Sequence, residues 1–356
     1  VPPGRYVLLV RIDGVLGAAG TPMCPPYPAR TAMTRATVTG ASGLVGANLL
    51  RSLLDRGIEV CAADLRRSPA LDGLDVDFVE VNVRDRSSLA AAFDGADVVF
   101  HLAAMISIVG DPTGEVRKVN VEGPANVANA ARDAGVERVV HCSSVHAFDL
   151  EKCGPSLDET GPRTIDEHAP AYDRSKYAGE QALLKAAGDD LDVVIVNPTG
   201  VIGPHDYAPS RIGETILELR DRKIPVNVAG GFDFVDVREV VNGLIAAWEH
   251  GRRGENYLLS GTRITLKELG QLVAGISGTR APRFDVPLSL LTPLGPLVMK
   301  LTPRTRIPLF TPDSLHALRF APSVSHFKAA TELGYRVRPI HETVADTLKW
   351  FADQRR

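Results

Sequence analysis

Three glycines, Gly40, Gly43 and Gly46, constrain this chain most, because they stand between a strand-like run and a helical pattern. The run 36–39 is short and partly β-branched, and the pattern 44–56 places apolar residues along one side of a helix. Glycine at such a junction permits a tight turn, and the N–H groups at a helix amino terminus attract phosphate. The stretch therefore predicts a nucleotide-binding loop in preference to an ordinary turn.

From residue 35 onward, strand-like apolar runs alternate with helical patterns. Further strands are predicted over 59–63, 76–81, 98–102, 138–142 and 193–197, with helices over 87–93, 114–134 and 172–187. Near-continuous apolar strands separated by helices are typical of a parallel sheet covered on both faces. The sequence thus predicts an α/β fold, a Rossmann-like doubly wound parallel sheet that binds its ligands at the carboxyl ends of the strands.

Beyond residue 200 the alternation loosens. We expect a loop over 200–210, helices over 211–223, 237–250 and 265–276, a strand over 255–259, and closing helices near 323–334 and 341–354. Residues 1–34 are expected to be a poorly ordered extension, residues 35–200 a dinucleotide-binding core with the catalytic residues, and residues 201–356 a smaller substrate-binding region interleaved with the end of that core. The proline-rich apolar segment 287–309 is interpreted either as a lid over the substrate or as packing against the core.

Charge and composition argue against several functional classes. The net charge is −3 with no long block of one sign, so the chain lacks the electrostatic footprint of a nucleic-acid-binding protein. No apolar stretch reaches the roughly 20 residues that an integral membrane helix needs. The 4 cysteines show no paired spacing and are expected to be free thiols of a cytoplasmic protein. His101, His141 and His146 follow no recurrent ligand spacing, so no metal site is predicted.

Asp64 stands at the end of the second predicted strand, 24 residues after Gly40. An acidic residue there accepts hydrogen bonds from the ribose hydroxyls of NAD and repels the 2′-phosphate of NADP. Arg66 and Arg67 are close enough in sequence to accommodate that phosphate instead. The position favours NAD, leaves NADP open, and is also compatible with an ordinary solvated aspartate.

Tyr172 and Lys176 share one face of a predicted helix, because four residues make about one helical turn. The ammonium of Lys176 is expected to lower the pKa of Tyr172, so that its phenol can act as a general acid or base. A Tyr-x-x-x-Lys pair alone is a weak signal. Ser143 and Ser144 follow the strand 138–142, and Ser144 precedes Tyr172 by 28 residues. A hydroxyl there can bind a substrate oxygen, although both serines could simply be caps.

Taken in order, these motifs identify a resemblance that covers residues 35–352. They are TGASGLVG (39–46), HLAA (101–104), VNVEG (119–123), SS (143–144), YDRSK (172–176), NPTGVIGP (197–204) and DFVDV (233–237). The chain resembles an extended short-chain dehydrogenase/reductase of the NAD-dependent epimerase/dehydratase superfamily. The resemblance implies an enzyme with Ser144, Tyr172 and Lys176 as catalytic triad, supported by Asn120. It also implies a homodimer.

The resemblance further implies which residues contact the cofactor. They are Gly40, Ser42, Gly43, Leu44, Val45, Gly46, Asp64, Arg66, Asn82, Val83, Leu102, Ala103, Ala104, Tyr172, Lys176 and Pro198. Asn82 departs from the family, which often has aspartate there at the adenine. We expect its side chain still to bind the adenine amino group.

Within the superfamily, NPTGVIGP and HLAA are similar to the dihydroflavonol reductase and 3β-hydroxysteroid dehydrogenase branch. Nucleotide-sugar epimerases usually carry an arginine for the diphosphate where this chain has Phe232. The resemblance thus favours NAD(P)-dependent interconversion of a secondary alcohol and a ketone on a bulky, largely apolar small molecule. A sugar or nucleotide-sugar epimerase/dehydratase and a non-catalytic dinucleotide-binding regulator are the alternatives. Predicted substrate contacts are Ser143, His146, Thr199, His205 and Tyr207.

Overall fold

The computed structural model describes residues 34–287 and 311–354. Its strands are β1 Arg35–Thr39, β2 Glu59–Asp64, β3 Asp77–Glu80, β4 Val98–His101, β5 Arg138–Cys142, β6 Ser156–Leu157, β7 Asp192–Pro198, β8 Gly200–Ile202, β9 Val226–Val228, β10 Gly231–Asp236, β11 Asn256–Leu259, β12 Thr262–Thr265, β13 Phe284–Val286 and β14 Ser323–Val324.

The helices of the described residues run between and after these strands. They are α1 Leu44–Leu54, α2 Arg86–Phe93, α3 Glu115–Arg117, α4 Gly123–Asp133, α5 Ala171–Ala187, α6 Arg211–Arg220, α7 Val237–His250, α8 Leu266–Ser277, α9 Pro312–Arg319, α10 Phe327–Leu333 and α11 Ile340–Asp353. A π-helical turn, Lys118–Glu122, joins α3 to α4, and short 3₁₀ turns occupy Pro69–Leu71 and Val145–Ala147.

Seven strands form one sheet in the order β11-β7-β5-β4-β1-β2-β3, with every neighbouring pair parallel. The strand order reverses between β1 and β4, so the connections leaving these two strands diverge and open a crevice at their carboxyl ends. This is the predicted Rossmann-like doubly wound sheet, and the prediction of the fold class is confirmed.

Both faces of the sheet are buried, which explains why its strands are almost wholly apolar. Val38, Phe100 and Val140 pack on one face in a cluster that includes residues of α1 and α7. Val99 and Val139 point to the other face, in a cluster that includes residues of α2, α4 and α5. The helices therefore hold the strand ends in fixed register, and the loops at those ends can be positioned accurately.

A smaller unit follows β7. Strands β8, β10 and β12 form a second sheet, and α6, α8 and α11 contribute to its apolar cluster. The prediction of a loop over 200–210 was therefore wrong at its start, because β8 pairs in parallel with β10 through Val201 and Val235. That pairing is long-range, so no local pattern announces it. The predicted extension 1–34 lies outside the described residues except for Thr34, as does nearly all of the predicted lid 287–309.

Within residues 34–287 and 311–354, none of the helices combines the length and the apolar character needed to cross a bilayer.

Candidate active site

The glycines of the β1–α1 loop leave no room for side chains. Gly40 has a φ of +69°, and a Cβ atom added to it would lie 2.7 Å from the backbone nitrogen of Ala103. A Cβ atom on Gly46 would lie 2.4 Å from the carbonyl oxygen of Gly40. The loop is thus pressed against the segment that leaves β4 and against the first turn of its own helix. These close approaches are the ones that a dinucleotide-binding loop needs.

The amino terminus of α1 presents free N–H groups beside this loop. Ala47 donates the first helical hydrogen bond, to the carbonyl oxygen of Gly43 at 2.8 Å. The N–H groups of Leu44, Val45 and Gly46 therefore precede the helical ladder and can bind an anion. The structure thus brings the predicted phosphate-binding residues together in the expected arrangement.

Asp64 ends β2 next to the same loop. Its Oδ2 accepts the backbone N–H of Ser42 at 2.8 Å, and its Oδ1 accepts the backbone N–H of Leu65 at 2.7 Å. Each carboxylate oxygen keeps a second acceptor position, so ribose hydroxyls can still donate to it. Arg66 and Arg67 are exposed. The geometry supports the predicted ribose contact and leaves both guanidinium groups free to turn toward a phosphate.

The HLAA segment lies directly across from the glycine loop. The Oγ1 of Thr39 lies 2.8 Å from Nδ1 of His101 and accepts the backbone N–H of Leu102 at 3.2 Å. The carbonyl oxygen of Thr39 accepts the same N–H at 3.1 Å. Leu102 and Ala103 are half-buried and Ala104 is exposed. These three residues therefore line the crevice between β1 and β4.

Asn82 and Val83, the predicted adenine contacts, are less accessible to a ligand. The Oδ1 of Asn82 accepts the backbone N–H of Arg84 at 3.1 Å and its side-chain Nε at 3.2 Å. Val83 is buried, and a Cβ atom added to Gly123 would lie 3.0 Å from its Cγ2. The oxygen that was expected to accept from an adenine amino group is thus engaged by Arg84.

Tyr172, Lys176 and Ser144 meet at the carboxyl end of β5. Tyr172 lies in the first turn of α5, and the side chain of Ser144 is close enough to influence the pKa of its phenol. Lys176 is buried, and its Nζ donates to the carbonyl oxygen of Cys142 at 3.3 Å. A proton-bearing phenol, a hydroxyl and an ammonium group are therefore assembled where a doubly wound sheet places its chemistry.

The expectation that the pKa of Tyr172 is lowered was wrong for the protein chain. Burial raises that pKa, because the phenolate loses its hydration, and the charge of Asp173 raises it further. The side chain of Ser144 acts in the opposite direction. The pKa of Lys176 is itself lowered by burial, against the opposing influence of Cys142 and Glu180. The phenol thus remains protonated at neutral pH and can donate its proton.

Asn120 supports this constellation from the π-helical turn. Its Oδ1 accepts the backbone N–H of Met105 at 2.8 Å, and its Nδ2 donates to the Met105 carbonyl oxygen at 2.9 Å. The same Nδ2 is 2.9 Å from Oγ of Ser175, which donates to the carbonyl oxygen of Tyr172 at 2.7 Å. A Cβ atom on Gly179 would lie 2.0 Å from the Asn120 carbonyl oxygen. Asn120 therefore locks α5 to the loop after β4.

The two serines after β5 differ in role. The Oγ of Ser144 accepts the backbone N–H of His146 at 3.2 Å and so caps a 3₁₀ turn, in addition to its contact with Tyr172. Ser143 donates its backbone N–H to the carbonyl oxygen of Val196 at 2.8 Å. Among the described residues, the buried Oγ of Ser143 has no hydrogen-bond partner. Ser144 can therefore cap the turn and take part in catalysis with the same hydroxyl.

An aromatic cluster stands beside Tyr172. The ring of His146 meets that of Tyr172 edge-on with centroids 5.7 Å apart, and it stacks on Phe232 at 5.8 Å with 16° between the planes. Nδ1 of His146 lies 3.2 Å from Oδ1 of Asp173. Burial lowers the pKa of His146, but the negative charge of Asp173 outweighs it and leaves that pKa raised. His146 is therefore held next to the phenol, and its contact with a substrate stays a prediction.

Two predicted contacts, Thr199 and Pro198, are built into the sheets. Oγ1 of Thr199 donates to Oδ1 of Asp233 at 2.6 Å, and the same carboxylate oxygen accepts the N–H of Gly261 at 2.7 Å. Pro198 is buried at the end of β7, in register with Leu259. The side chain of Thr199 is committed to fixing the junction between β7 and β10.

His205 and Tyr207 are placed elsewhere. Their rings stack with centroids 6.2 Å apart, and both meet Trp350 of α11. Arg51 donates to the Tyr207 hydroxyl at 2.9 Å. Burial, aided by the charges of Arg51 and Arg238, lowers the pKa of His205 to about 4. These contacts tie the loop after β8 to α1 and α11 and do not bring either side chain to Tyr172.

With this geometry in place, the chain can be compared with known proteins. A family model described as "NAD dependent epimerase/dehydratase family" matches residues 36–260. The chain belongs to that family. The resemblance predicted from its motifs is confirmed, and the described fold is that of the family's solved members.

Several relatives narrow the comparison. "Sterol demethylase protein B" of Methylococcus capsulatus is 36% identical, over 89% of this chain and 98% of that protein. "Putative dihydroflavonol 4-reductase" of Synechocystis sp. is 35% identical, over 88% and 93%. "3-beta-hydroxysteroid dehydrogenase" of Mycolicibacterium neoaurum is 28% identical, over 91% and 93%. The crystal structure of gox2253 is 33% identical with a TM-score of 0.78, over 90% of this chain and 98% of that one. The chain is thus similar to relatives named for the predicted branch.

Sequence reasoning missed three side chains of the site in this family member. Asp173 follows Tyr172 directly, and an acidic residue next to the predicted catalytic tyrosine was the available signal. Glu180 stands four residues after Lys176, on the catalytic face of α5, where a buried face should have been apolar. Asn197 ends a hydrophobic strand run, where a buried amide demands a partner. Glu180 and Asn197 are buried and Asp173 is partly buried, which only the fold reveals.

Proposed function

We propose that this family member is an NAD-dependent dehydrogenase/reductase that interconverts a secondary alcohol and a ketone on a bulky, largely apolar substrate. The observation that carries the proposal is the ring stack of Phe232 and His146 beside Tyr172. Phe232 occupies the place where nucleotide-sugar epimerases of the family usually carry an arginine. An aromatic wall offers apolar contact area and no charge for a diphosphate.

The loop after β4 supports an apolar substrate as well. Met105, Ile106 and Val109 are exposed there, Ile106 to 66%. The backbone of Met105 is hydrogen-bonded to the side chain of Asn120. Asn120 also bonds Ser175, whose hydroxyl donates to the carbonyl oxygen of Tyr172. Exposed apolar side chains on a loop that Asn120 holds to the helix of Tyr172 suit a ring system better than a sugar. They form a second apolar boundary of the substrate site.

The proposed chemistry divides among three side chains. Bound nicotinamide supplies a hydride to the substrate's carbonyl carbon, or accepts one from the alcohol. Ser144 donates a hydrogen bond to the substrate oxygen and so fixes its position. Tyr172 gives its phenolic proton to that oxygen during reduction and takes it back during oxidation. The buried ammonium of Lys176 stabilises the negative charge left on the phenol oxygen.

The residues of the β1–α1 loop fit a dinucleotide. The cradle around Gly40 and Gly46 admits backbone only, and the amino terminus of α1 supplies N–H groups for a diphosphate. Asp64 keeps acceptor positions for the ribose hydroxyls, which favours NAD over NADP. We infer from this arrangement that residues 35–200 bind the dinucleotide and that residues 201–356 contribute mainly to the substrate side.

The test is a cofactor titration followed by a substrate screen. NADH is expected to bind more tightly than NADPH, and steroid, flavanonol and aromatic ketones are expected to be reduced. Tyr172→Phe should lower kcat by about 10²-fold or more and weaken NADH binding far less than that. Tyr177→Phe, which removes a hydroxyl from the same helix, is the matched control and should behave as wild type.

Three other outcomes would contradict the proposal. Turnover of sugar nucleotides alone, with a cofactor that copurifies, would assign the chain to the epimerase/dehydratase alternative. Dinucleotide binding with no turnover of any substrate class would favour a non-catalytic regulator. Activity of Tyr172→Phe equal to that of Tyr177→Phe would refute the proposed proton donor.

A further inference from the structure

A buried carboxylate lies one helical turn beyond Lys176. Glu180 is 1% exposed, on the face of α5 that carries Tyr172 and Lys176. Its Oε1 accepts Nδ2 of Asn197 at 2.7 Å. Its Oε2 accepts Nδ2 of Asn256 at 3.2 Å and the guanidinium of Arg163 at 3.3 Å. A buried carboxylate is costly unless it is paired and fully hydrogen-bonded, so its position calls for a reason.

The carboxylate fixes the orientation of the neighbouring amides. A carboxylate can only accept hydrogen bonds, so both Asn197 and Asn256 must turn their NH₂ groups toward Glu180. The Oδ1 of Asn197 then accepts Nδ2 of Asn256 at 2.8 Å. The remaining N–H of Asn197 donates to the carbonyl oxygen of Ser144 at 2.9 Å. Both N–H groups of Asn197 and one acceptor position of its oxygen are therefore assigned.

This chain of bonds ends at the proposed catalytic serine. The backbone before Ser144 is held by the bond from Ser143 to Val196, and the backbone after it by Asn197. Both flanking peptides are thus fixed, which restricts the positions that the Oγ of Ser144 can take beside Tyr172. Rotation of the Ser144 carbonyl would break the bond to Asn197 and would reorient the 3₁₀ turn that carries His146.

We propose that Glu180 is a positioning residue of the catalytic site, which orients Ser144 through Asn197 and provides the negative charge that opposes deprotonation of Lys176. The first role depends on geometry and the second on charge. The inference rests on the proposed function, because it takes Ser144 and Lys176 as parts of the reaction.

The titratable side chains around Lys176 belong to several elements. Glu180 lies on its own helix, His101 ends β4, His141 and Cys142 end β5, and His146 follows in the next turn. Burial lowers the pKa of both His101 and His141, so both are neutral at physiological pH. Arg163, which stacks on the ring of Phe148 at 3.8 Å, faces Glu180 from the opposite side. Glu180 is thus the permanent negative charge in this group.

Two substitutions separate the roles. Glu180→Gln removes the charge, and a nearby negative charge raises the pKa of any neighbouring acid. The alkaline limb of kcat for ketone reduction should therefore move to lower pH by about one unit. Asn197→Ala removes the bond to Ser144 and keeps the charge, so kcat should fall about 10- to 100-fold with the alkaline limb unmoved. Glu122→Gln, which removes an exposed carboxylate from the neighbouring turn, is the control for net charge.

A second measurement does not depend on turnover. In protein labelled with ¹⁵N-lysine, the Nζ resonance that Lys176→Arg eliminates reports the pKa of Lys176 directly, and Glu180→Gln should lower that pKa. If Glu180→Gln fails to fold because Arg163 loses its partner, the Arg163→Met/Glu180→Gln double variant removes both charges and keeps the apolar stem over Phe148.

The outcomes are distinct. An unchanged pKa of Lys176 in Glu180→Gln would overturn the electrostatic role, and wild-type kcat in Asn197→Ala would overturn the positioning role. Wild-type protein that turns over no ketone would instead refute the proposed function. In that case the resonance of Lys176 still decides whether Glu180 controls its protonation.

Discussion

Asp64 offers the sharpest test of cofactor choice. Asp64→Asn removes the carboxylate charge and leaves one acceptor oxygen where the structure uses two, for the N–H groups of Ser42 and Leu65. A hydrogen bond to a charged group contributes about 1.5–3 kcal/mol, so the loss of one to a ribose hydroxyl should weaken NADH binding about 10- to 100-fold. NADPH should lose less or gain, because its 2′-phosphate no longer faces a carboxylate.

The assay is the enhancement of nicotinamide fluorescence on titration with NADH and with NADPH. Asp75→Asn, an exposed carboxylate in the connection after β2, removes the same charge and should leave both affinities unchanged. If Asp64→Asn weakens NADH and NADPH equally, Asp64 merely holds the loop in place. A wild-type preference for NADPH would refute the reasoning and would shift the weight to Arg66 and Arg67.

Four further outcomes are expected. An alanine in the left-handed backbone region costs about 1–2 kcal/mol. Gly40→Ala should lower the free energy of unfolding by more than that, because the added Cβ has no room. Gly57→Ala has a similar φ but open space around it, and thermal denaturation should show only the backbone cost. Thr199→Val should leave the Asp233 carboxylate short of a donor and lower the free energy of unfolding by about 1–3 kcal/mol, with the KM for ketone unchanged. Phe232→Arg should raise the KM for a bulky ketone at least tenfold, about 1.4 kcal/mol, in steady-state assays. Asp173→Asn should lower the pKa of His146. A raised histidine pKa stabilises the fold below about pH 6.5, and that stabilisation is lost as the pH rises through the folded value. In thermal denaturation the variant should therefore lose most stability near about pH 5 and least near about pH 8.

The parts of the fold that depend on local pattern were predictable from the sequence. The helix predicted over 237–250 has the bounds of α7, because Asp236 caps it through the N–H of Arg238 and Gly251 follows its end. The strand predicted over 138–142 coincides with β5. Such elements have their start signals, apolar period and stop signals within the segment. The glycine loop was predictable for the same reason, because its signals lie within residues 39–46.

Features that depend on distant residues were not predictable. Strand β8 exists because β10 pairs with it, and the π-helical turn at Asn120 lies where Gly179 of α5 brings two backbones together. The helical pattern over 114–134 gave no sign of that turn. The predicted substrate contacts differ in where they lie: His146 stands beside Tyr172 because it follows β5 at the sheet edge where α5 also begins. His205 and Tyr207 are instead drawn to Trp350, a residue from the far end of the chain.

The pKa of Tyr172 shows why motif spacing alone does not give chemistry. Helical spacing places Tyr172 and Lys176 on one face, but Lys176 is buried and Tyr172 is partly buried, and the loss of hydration disfavours the phenolate and the ammonium alike. The site can nevertheless work as a proton donor, since a phenol that remains protonated at neutral pH suits ketone reduction. For alcohol oxidation the phenol must instead lose its proton, which requires an environment that favours the ammonium. Glu180 contributes a permanent negative charge to that environment, so we expect the direction in which the site works best to depend in part on a carboxylate that the catalytic motif does not include.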